Sequence, residues 1–150
     1  MQRTDMDNQV RLYAYQHFVE KGRAPTSAEV TAALAVSSSQ TYDAFERLAE
    51  KHVLVLDPKS HEIWMAMPFS AVPTAYRVTV GNSSWWANCA WDSLGIPAML
   101  HEDATIHSQC PVSGQELALG VVAGRPEADP SGCVHFAVPA ARWWEDIGYT

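Results

Sequence analysis

Two helix-start signals in the first third of the chain constrain its fold more than any other feature. Thr26 and Glu29 have the spacing of a capping box, in which a hydroxyl and a carboxylate satisfy free N–H groups at a helix start. Ser37 and Gln40 repeat this spacing. Because each signal opens a new helix, this part of the chain is predicted to form three short helices, one before Thr26 and two after it.

Apolar residues recur at helical spacing in each of the three segments. The first segment stops at Gly22, which favours a helix end, and the third reaches about Lys51. The predicted inner faces consist of Val10, Tyr13, Ala14, His17 and Phe18 in the first helix, Val30, Ala33 and Leu34 in the second, and Thr41, Ala44, Phe45, Leu48 and Ala49 in the third.

A β-hairpin is predicted to follow the helices. Residues 53–56 are apolar, residues 57–60 (Asp-Pro-Lys-Ser) are typical of a turn, and residues 62–67 return as a second strand. Three helices followed by a hairpin is the order of a winged helix, so residues 1–67 are interpreted as a winged-helix-like module.

The charge distribution argues against nucleic acid as a partner. The 150 residues include 10 basic and 17 acidic side chains, a net charge of -7. Residues 37–51, which would read a DNA groove, carry Arg47 and Lys51 against Asp43, Glu46 and Glu50, so 2 − 3 = −1. A structural scaffold is therefore the preferred role of this module, and a winged-helix regulator is the less favoured alternative.

Hydropathy and cysteine content indicate the compartment. No segment approaches the roughly 20 apolar residues that a membrane helix needs, and the N-terminus lacks the apolar core of a secretion signal. The three cysteines are Cys89, Cys110 and Cys133, an odd number that does not favour a disulfide framework. We expect a cytoplasmic protein with free thiols and no membrane contact.

Residues 68–150 are predicted to form a small mixed α/β region, which makes the fold class α+β. An extended connector at 68–74 is indicated by its two prolines. Further predicted elements are strands at 76–80, 105–108, 116–122 and 134–138, a turn at 81–82, a short helix at 87–94 and a helix at 139–147.

Cys89 and Asp92 are the candidate reactive pair. On the predicted helix they would lie on one face, close enough to share a ligand. A thiolate is a soft ligand that suits Hg(II), Cu(I), Zn(II) or Cd(II). Desolvation and the neighbouring thiolate would raise the pKa of Asp92, so that it holds a proton at neutral pH. By itself, however, this spacing more often reflects a buried cysteine near an exposed aspartate.

The other two cysteines have weaker patterns. Cys110 opens a predicted tight turn and lacks a second cysteine at zinc-knuckle spacing, so a buried structural thiol is predicted. Cys133 and His135 would share one face of a predicted strand. A packing role is preferred for this pair, and metal binding is the alternative.

Three segments resemble the organomercurial (alkylmercury) lyase family. Residues 86–100, WANCAWDSLGIPAML, are similar to the family's active-site segment. Residues 67–78 and 106–114 are similar to the stretches before and after it. Family members also have a winged-helix-like N-terminal part, so the resemblance spans roughly residue 10 to the end of the chain.

The resemblance implies protonolytic cleavage of a carbon–mercury bond, giving a hydrocarbon and Hg(II). At the matching positions Cys89 would capture the organomercurial as a thiolate. Asp92 would first help deprotonate a thiol and then protonate the leaving carbon, and both residues would contact the metal. Cys110 matches a cysteine taken as structural, and Cys133 is a further candidate metal ligand. No organic cofactor is implied, and Hg(II) would pass to low-molecular-weight thiols or a mercuric reductase.

The family also uses a second catalytic cysteine, which would fall just after residues 144–150. We therefore expect the lyase-like region, residues 68–150 here, to continue beyond Thr150. One hypothesis is a UGA codon at the next position that encodes selenocysteine; a frameshift or trimming would have the same effect. Without that cysteine, the alternative function is noncatalytic soft-metal binding, of Hg or Cu, on the same scaffold.

Overall fold

The computed structural model of the protein describes residues 3–127 and 132–149, with side chains from residue 5 onwards. It has the predicted α+β class. The helices are α1 (Arg3–Lys21), α2 (Ser27–Leu34), α3 (Ser38–Glu50) and α4 (Ala90–Leu100), with a 3₁₀ helix at Ala140–Glu145. The strands are β1 (Val55–Leu56), β2 (Ile63–Ala66), β3 (Phe69–Ser70), β4 (Arg77–Val80), β5 (Ser83–Ala87), β6 (Ala104–Gln109), β7 (Glu116–Val122) and β8 (Arg125–Glu127).

The predicted helix boundaries in the first fifty residues are confirmed. Gly22 ends α1 in a left-handed conformation (φ +71°) that glycine adopts without strain. The Thr26 hydroxyl accepts the N–H of Glu29 at 3.2 Å, and the Glu29 carboxylate accepts the N–H of Thr26 at 2.8 Å. Ser37 and Gln40 make the same reciprocal pair at the start of α3.

The inner faces of α1 and α3 are also as predicted, whereas that of α2 is partly wrong. Val10, Phe18 and Phe45 are fully buried. On α2, Val30 is buried but Ala33 is exposed. Leu34, at the end of α2, is half-buried and packs against the core as predicted.

Among the described residues, eight strands form one antiparallel sheet in the order β1-β2-β3-β5-β4-β6-β7-β8. The β1–β2 hairpin follows the three helices in the predicted order. Strand β2 then pairs with β3 across the junction at 67/68, so both predicted regions contribute to one sheet. The winged-helix assignment and the division at 67/68 both stay predictions.

The two faces of the sheet differ in chemistry. Val78 of β4 and Ile106 of β6 are fully buried beneath the helices. On the opposite face, Arg77 lies in register with Trp86 of β5 and His107 of β6, and its guanidinium stacks over the Trp86 ring at 4.5 Å. The candidate reactive pair, Cys89 and Asp92, lies where the end of β5 continues into α4.

Several predicted elements differ from the structure. The strand predicted at 53–56 is reduced to Val55–Leu56, and the helix predicted at 139–147 is a shorter 3₁₀ helix. Residues 134–138 form no strand, so the strand predicted there is wrong. The connector predicted at 68–74 contributes β3, and β8 was not predicted.

The helix predicted at 87–94 is wrong at both ends. Residue 87 is the last residue of β5. Trp85 favours a strand and holds β5 against the core, because its buried indole donates its N–H to the Phe18 carbonyl at 2.6 Å. At the other end α4 continues through Pro97, which disfavours a helix interior by propensity. Burial of Ile96 and Pro97 outweighs that propensity.

A stack of two phenylalanine rings connects the helices to the sheet. Phe18 of α1 and Phe69 of β3 are both fully buried, with ring centroids 5.2 Å apart and planes inclined by 9°. Trp85 packs on Phe69 from β5. The N-terminal helices and the sheet therefore share one core.

We expect Phe18→Ala to lower the free energy of unfolding by about 3–5 kcal/mol, because it removes a fully buried ring. Leu12→Ala on the exposed side of α1 is the matched control, with an expected effect within about 0.5 kcal/mol. Urea unfolding followed by both circular dichroism and tryptophan fluorescence measures this. Two separate transitions in the unsubstituted protein would contradict a shared core.

Candidate active site

Cys89 occupies the junction between β5 and α4. It is the N-cap residue of α4, with extended backbone angles (φ -148°, ψ -179°), and its Sγ accepts the N–H of Asp92 at 3.5 Å. The prediction that Cys89 lies within a helix is therefore wrong. The predicted closeness of Cys89 to Asp92 is nevertheless confirmed. The side chain of an N-cap residue lies over the first turn of its helix, and Asp92 belongs to that turn.

The Asp92 carboxyl lies in this first turn and is largely buried. The side chains of Asn88 and Cys89 lie close enough to stabilise its ionised form. Asn88 is itself anchored, because its side-chain N–H donates to the Phe69 carbonyl at 3.1 Å. The Cys89 thiol and the Asp92 carboxyl are thus adjacent. The neighbouring Asn88 is fixed to the core through β3.

Burial governs the ionisation of both groups. It raises the pKa of Asp92, as predicted. The predicted contribution of the neighbouring Cys89 is wrong, because the interactions with Asn88 and Cys89 lower this pKa. Burial also raises the pKa of the Cys89 thiol, and the charge of Asp92 adds to this effect. Cys89 is therefore protonated at neutral pH until a ligand or base removes its proton.

A cavity of about 470 Å³ contains both groups. Its described walls are mainly apolar and aromatic, and none of the described lining residues is Lys or Arg. The lining residues are His52, Met65, Met67, Tyr76, Asn88, Cys89, Trp91, Asp92, Trp143, Trp144, Ile147, Gly148 and Tyr149. Such a cavity suits an apolar ligand with a soft, sulfur-seeking centre.

Two tyrosines lie close to the reactive pair. Tyr76 lines the cavity, and burial together with the negative charge of Cys89 raises the pKa of its phenol. Tyr15 lies near Asp92 and donates its hydroxyl to the Met67 carbonyl at 2.8 Å. Neither tyrosine was predicted from the sequence, because each comes from an element distant from Cys89 along the chain.

The C-terminal aromatic residues complete the cavity on one side. Trp144 stacks on His52 with ring centroids 3.8 Å apart, and Trp143 packs against Phe136 at 5.2 Å. Phe136 also contacts Trp91 of α4 at 6.4 Å. The Trp143-Trp144 pair stands out in the sequence, yet nothing in its spacing identified its partner His52.

The structure keeps the other two cysteines apart from this cavity. Cys110 is partly exposed rather than buried as predicted, and hydrogen bonds from Ser113 lower the pKa of its thiol. Cys133 is exposed and does not line the cavity. Within residues 3–127 and 132–149, no three His, Cys, Asp or Glu side chains cluster as a metal site. Cys133 and His135 thus have no third ligand in the described part of the chain.

The basic groups of α3 are occupied by an internal carboxylate. Asp7 of α1 is buried and accepts hydrogen bonds from Arg47 at 2.7 Å and from Lys51 at 3.1 Å. Phosphate contacts by these side chains would require breaking that network.

Membrane insertion finds no support among the described helices. None of them combines the length with the apolar character that a bilayer crossing requires.

Comparison with known proteins identifies a family and places the fold among solved structures. The sequence model of the family MerB, alkylmercury lyase, matches residues 69–150. A crystal structure of the mercury-bound form of MerB2 superposes with a TM-score of 0.60 at 20% identity, covering 85% of this chain and 68% of that chain. This likeness concerns the fold. No curated protein sequence matches significantly.

The raised pKa of Asp92 has a consequence for stability. At pH values above the pKa of Asp92 in the unfolded chain, the fold is destabilised, because burial disfavours the ionised carboxyl that the unfolded chain carries freely. This destabilisation is lost as the pH falls below the unfolded value of about 3.9. We expect Asp92→Asn to raise the thermal midpoint at neutral pH, with the gain vanishing towards about pH 4.

Thermal unfolding across this pH range measures the effect, with the exposed Asp43→Asn as the control. A gain of the same size at every pH would contradict an origin in ionisation.

Proposed function

The chain belongs to the alkylmercury lyase family, and on this premise we propose that it cleaves the carbon–mercury bond of organomercurials by protonolysis, giving a hydrocarbon and Hg(II). One observation carries the proposal. The Cys89 thiol and the Asp92 carboxyl lie at the same helix start and line the same apolar cavity. A ligand in this cavity can therefore contact both the sulfur of Cys89, a soft metal ligand, and the carboxyl of Asp92, a proton donor.

Capture is the first step. The Cys89 thiol lies beside the Asp92 carboxyl, and its Sγ accepts the Asp92 backbone N–H at 3.5 Å. As a sulfur–mercury bond forms, the proton leaves sulfur for the carboxylate and the original ligand leaves mercury. The cost of burying a thiolate beside a carboxylate is avoided, because one negative charge is neutralised while the other binds the metal.

Cleavage is the second step. Asp92, now protonated, delivers its proton to the carbon bound to mercury, and the electron pair of the carbon–mercury bond becomes the new C–H bond. The raised pKa keeps the acid protonated in the cavity until this transfer. Hg(II) remains on Cys89, and the Asp92 carboxylate is regenerated. The chemistry requires no organic cofactor.

Product release completes the cycle. Incoming thiolates displace Hg(II) from Cys89, because mercury exchanges among soft sulfur ligands. Low-molecular-weight thiols or a mercuric reductase are the acceptors that we propose. A free thiol such as Cys89 requires a reducing environment, so we propose that the protein acts in the cytoplasm.

We expect the purified protein to release benzene from phenylmercury in the presence of excess thiol. Cys89→Ser should abolish release, because it removes the mercury ligand. Asp92→Asn should reduce the rate by about 10²–10⁴-fold, the usual contribution of a general acid. Headspace gas chromatography measures the product.

Cys110→Ser is the control, since that thiol lies outside the cavity, and it should retain the unsubstituted rate. Mercury bound tightly by the unsubstituted chain with no hydrocarbon released would instead support a noncatalytic soft-metal binder. Unchanged benzene release by Asp92→Asn would contradict its role as the acid.

A further inference from the structure

One side of the cavity is formed by a segment that is mostly exposed. We define the outer wall as residues 143–149, of which Trp143, Trp144, Ile147, Gly148 and Tyr149 line the cavity. Trp144 is 40% and Tyr149 is 71% exposed, so the wall has the cavity on one side and solvent on the other. No sheet pairing holds it, because residues 132–149 form no strand.

Local hydrogen bonds shape the outer wall and the residues directly before it. The N–H of Arg142 donates to the Pro139 carbonyl at 2.9 Å, and the N–H of Tyr149 donates to the Asp146 carbonyl at 3.1 Å. The Trp143 indole N–H also donates locally, to the Val138 carbonyl at 2.8 Å. Such a segment keeps its own shape if it moves as a unit.

Ring packing connects the outer wall to the rest of the protein near the cavity. The Trp144 ring lies on the His52 ring at 3.8 Å with planes inclined by only 6°. Gly148 lies flat against Trp64 of β2, since a Cβ at that position would be 2.7 Å from the indole. Packing of this kind can open without breaking a backbone hydrogen bond.

His52 provides a fixed platform for this stack. It follows α3 in a left-handed conformation (φ +58°), and its N–H donates to the Ala49 carbonyl at 2.9 Å. If the stack opens, the partner expected to move is therefore the outer wall, because His52 is held by the end of α3.

We infer that the His52–Trp144 stack is a latch that determines how large a ligand can reach Cys89. The inference rests on the proposed function in one respect, that Cys89 is the group which a substrate must reach. With the latch closed, the wall leaves a cavity of about 470 Å³ and limits the entry of bulky groups. Release of the latch should increase the rate at which bulky ligands reach Cys89 more than the rate for small ligands, because small ligands already enter the closed cavity.

The test uses Cys89 reactivity in a chain carrying Cys110→Ser and Cys133→Ser. Methyl and benzyl methanethiosulfonate share one reaction, in which the Cys89 thiolate attacks the sulfenyl sulfur, a mixed disulfide forms and methanesulfinate leaves. Mass spectrometry follows each modification rate. The variants are Trp144→Ala and His52→Asn, the latter chosen because asparagine tolerates left-handed backbone.

Each variant should accelerate the benzyl reagent by roughly three- to tenfold, the factor that corresponds to an aromatic pair. The methyl reagent should change by less than about twofold. The double variant should exceed neither single variant appreciably, since both remove the same contact. His61→Asn is the matched control, because His61 is also left-handed (φ +58°) but lies in the exposed hairpin turn.

Gly148→Ala supplies an independent variant. Its added methyl displaces the wall from Trp64 without altering the latch residues, and it should also favour the benzyl reagent. Equal acceleration of both reagents, or no acceleration of either, would overturn the inference. No mercury takes part, so the latch and the proposed lyase activity can fail independently.

Discussion

The candidate site depends on one capping interaction, in which Cys89 Sγ accepts the N–H of Asp92 at the start of α4. It fixes the thiol where a strand becomes a helix and brings it beside the carboxyl one turn later. A cysteine is an unusual cap, because its sulfur accepts hydrogen bonds weakly compared with Ser, Thr, Asn or Asp. Helix stability therefore does not explain well why a cysteine occupies this N-cap position. Binding of a soft ligand explains it better.

Two opposing effects act on the charges at this helix start. Helix N–H groups favour anions there, yet burial dominates and raises the pKa of both Cys89 and Asp92. The pair therefore retains the proton of the Cys89 thiol. In the proposed reaction this proton passes to Asp92 and then to carbon, and the apolar cavity restricts competition from water. The Phe18–Phe69 stack supports this arrangement by anchoring β3, to which Asn88 is bonded.

The sequence allowed prediction of features that depend on neighbours along the chain. Both capping boxes, the end of α1 at Gly22 and the closeness of Cys89 to Asp92 belong to this class. Residues that meet only through tertiary packing were not predicted, such as the contact of His52 with Trp144. Propensity also failed at Pro97, where burial outweighs the loss of a backbone donor. It failed again at residues 134–138, which are rich in strand-forming residues but pair with no described strand.

The most direct test of the central claim is the mass of the Cys89-containing peptide after brief exposure to phenylmercury. Asp92→Asn should retain intact phenylmercury on Cys89, because capture proceeds and proton delivery does not. The unsubstituted chain should carry Hg(II) without the phenyl group. Phenylmercury that persists on Cys89 of the unsubstituted chain, or that is found on another cysteine instead, would contradict a thiol and an acid acting on one substrate.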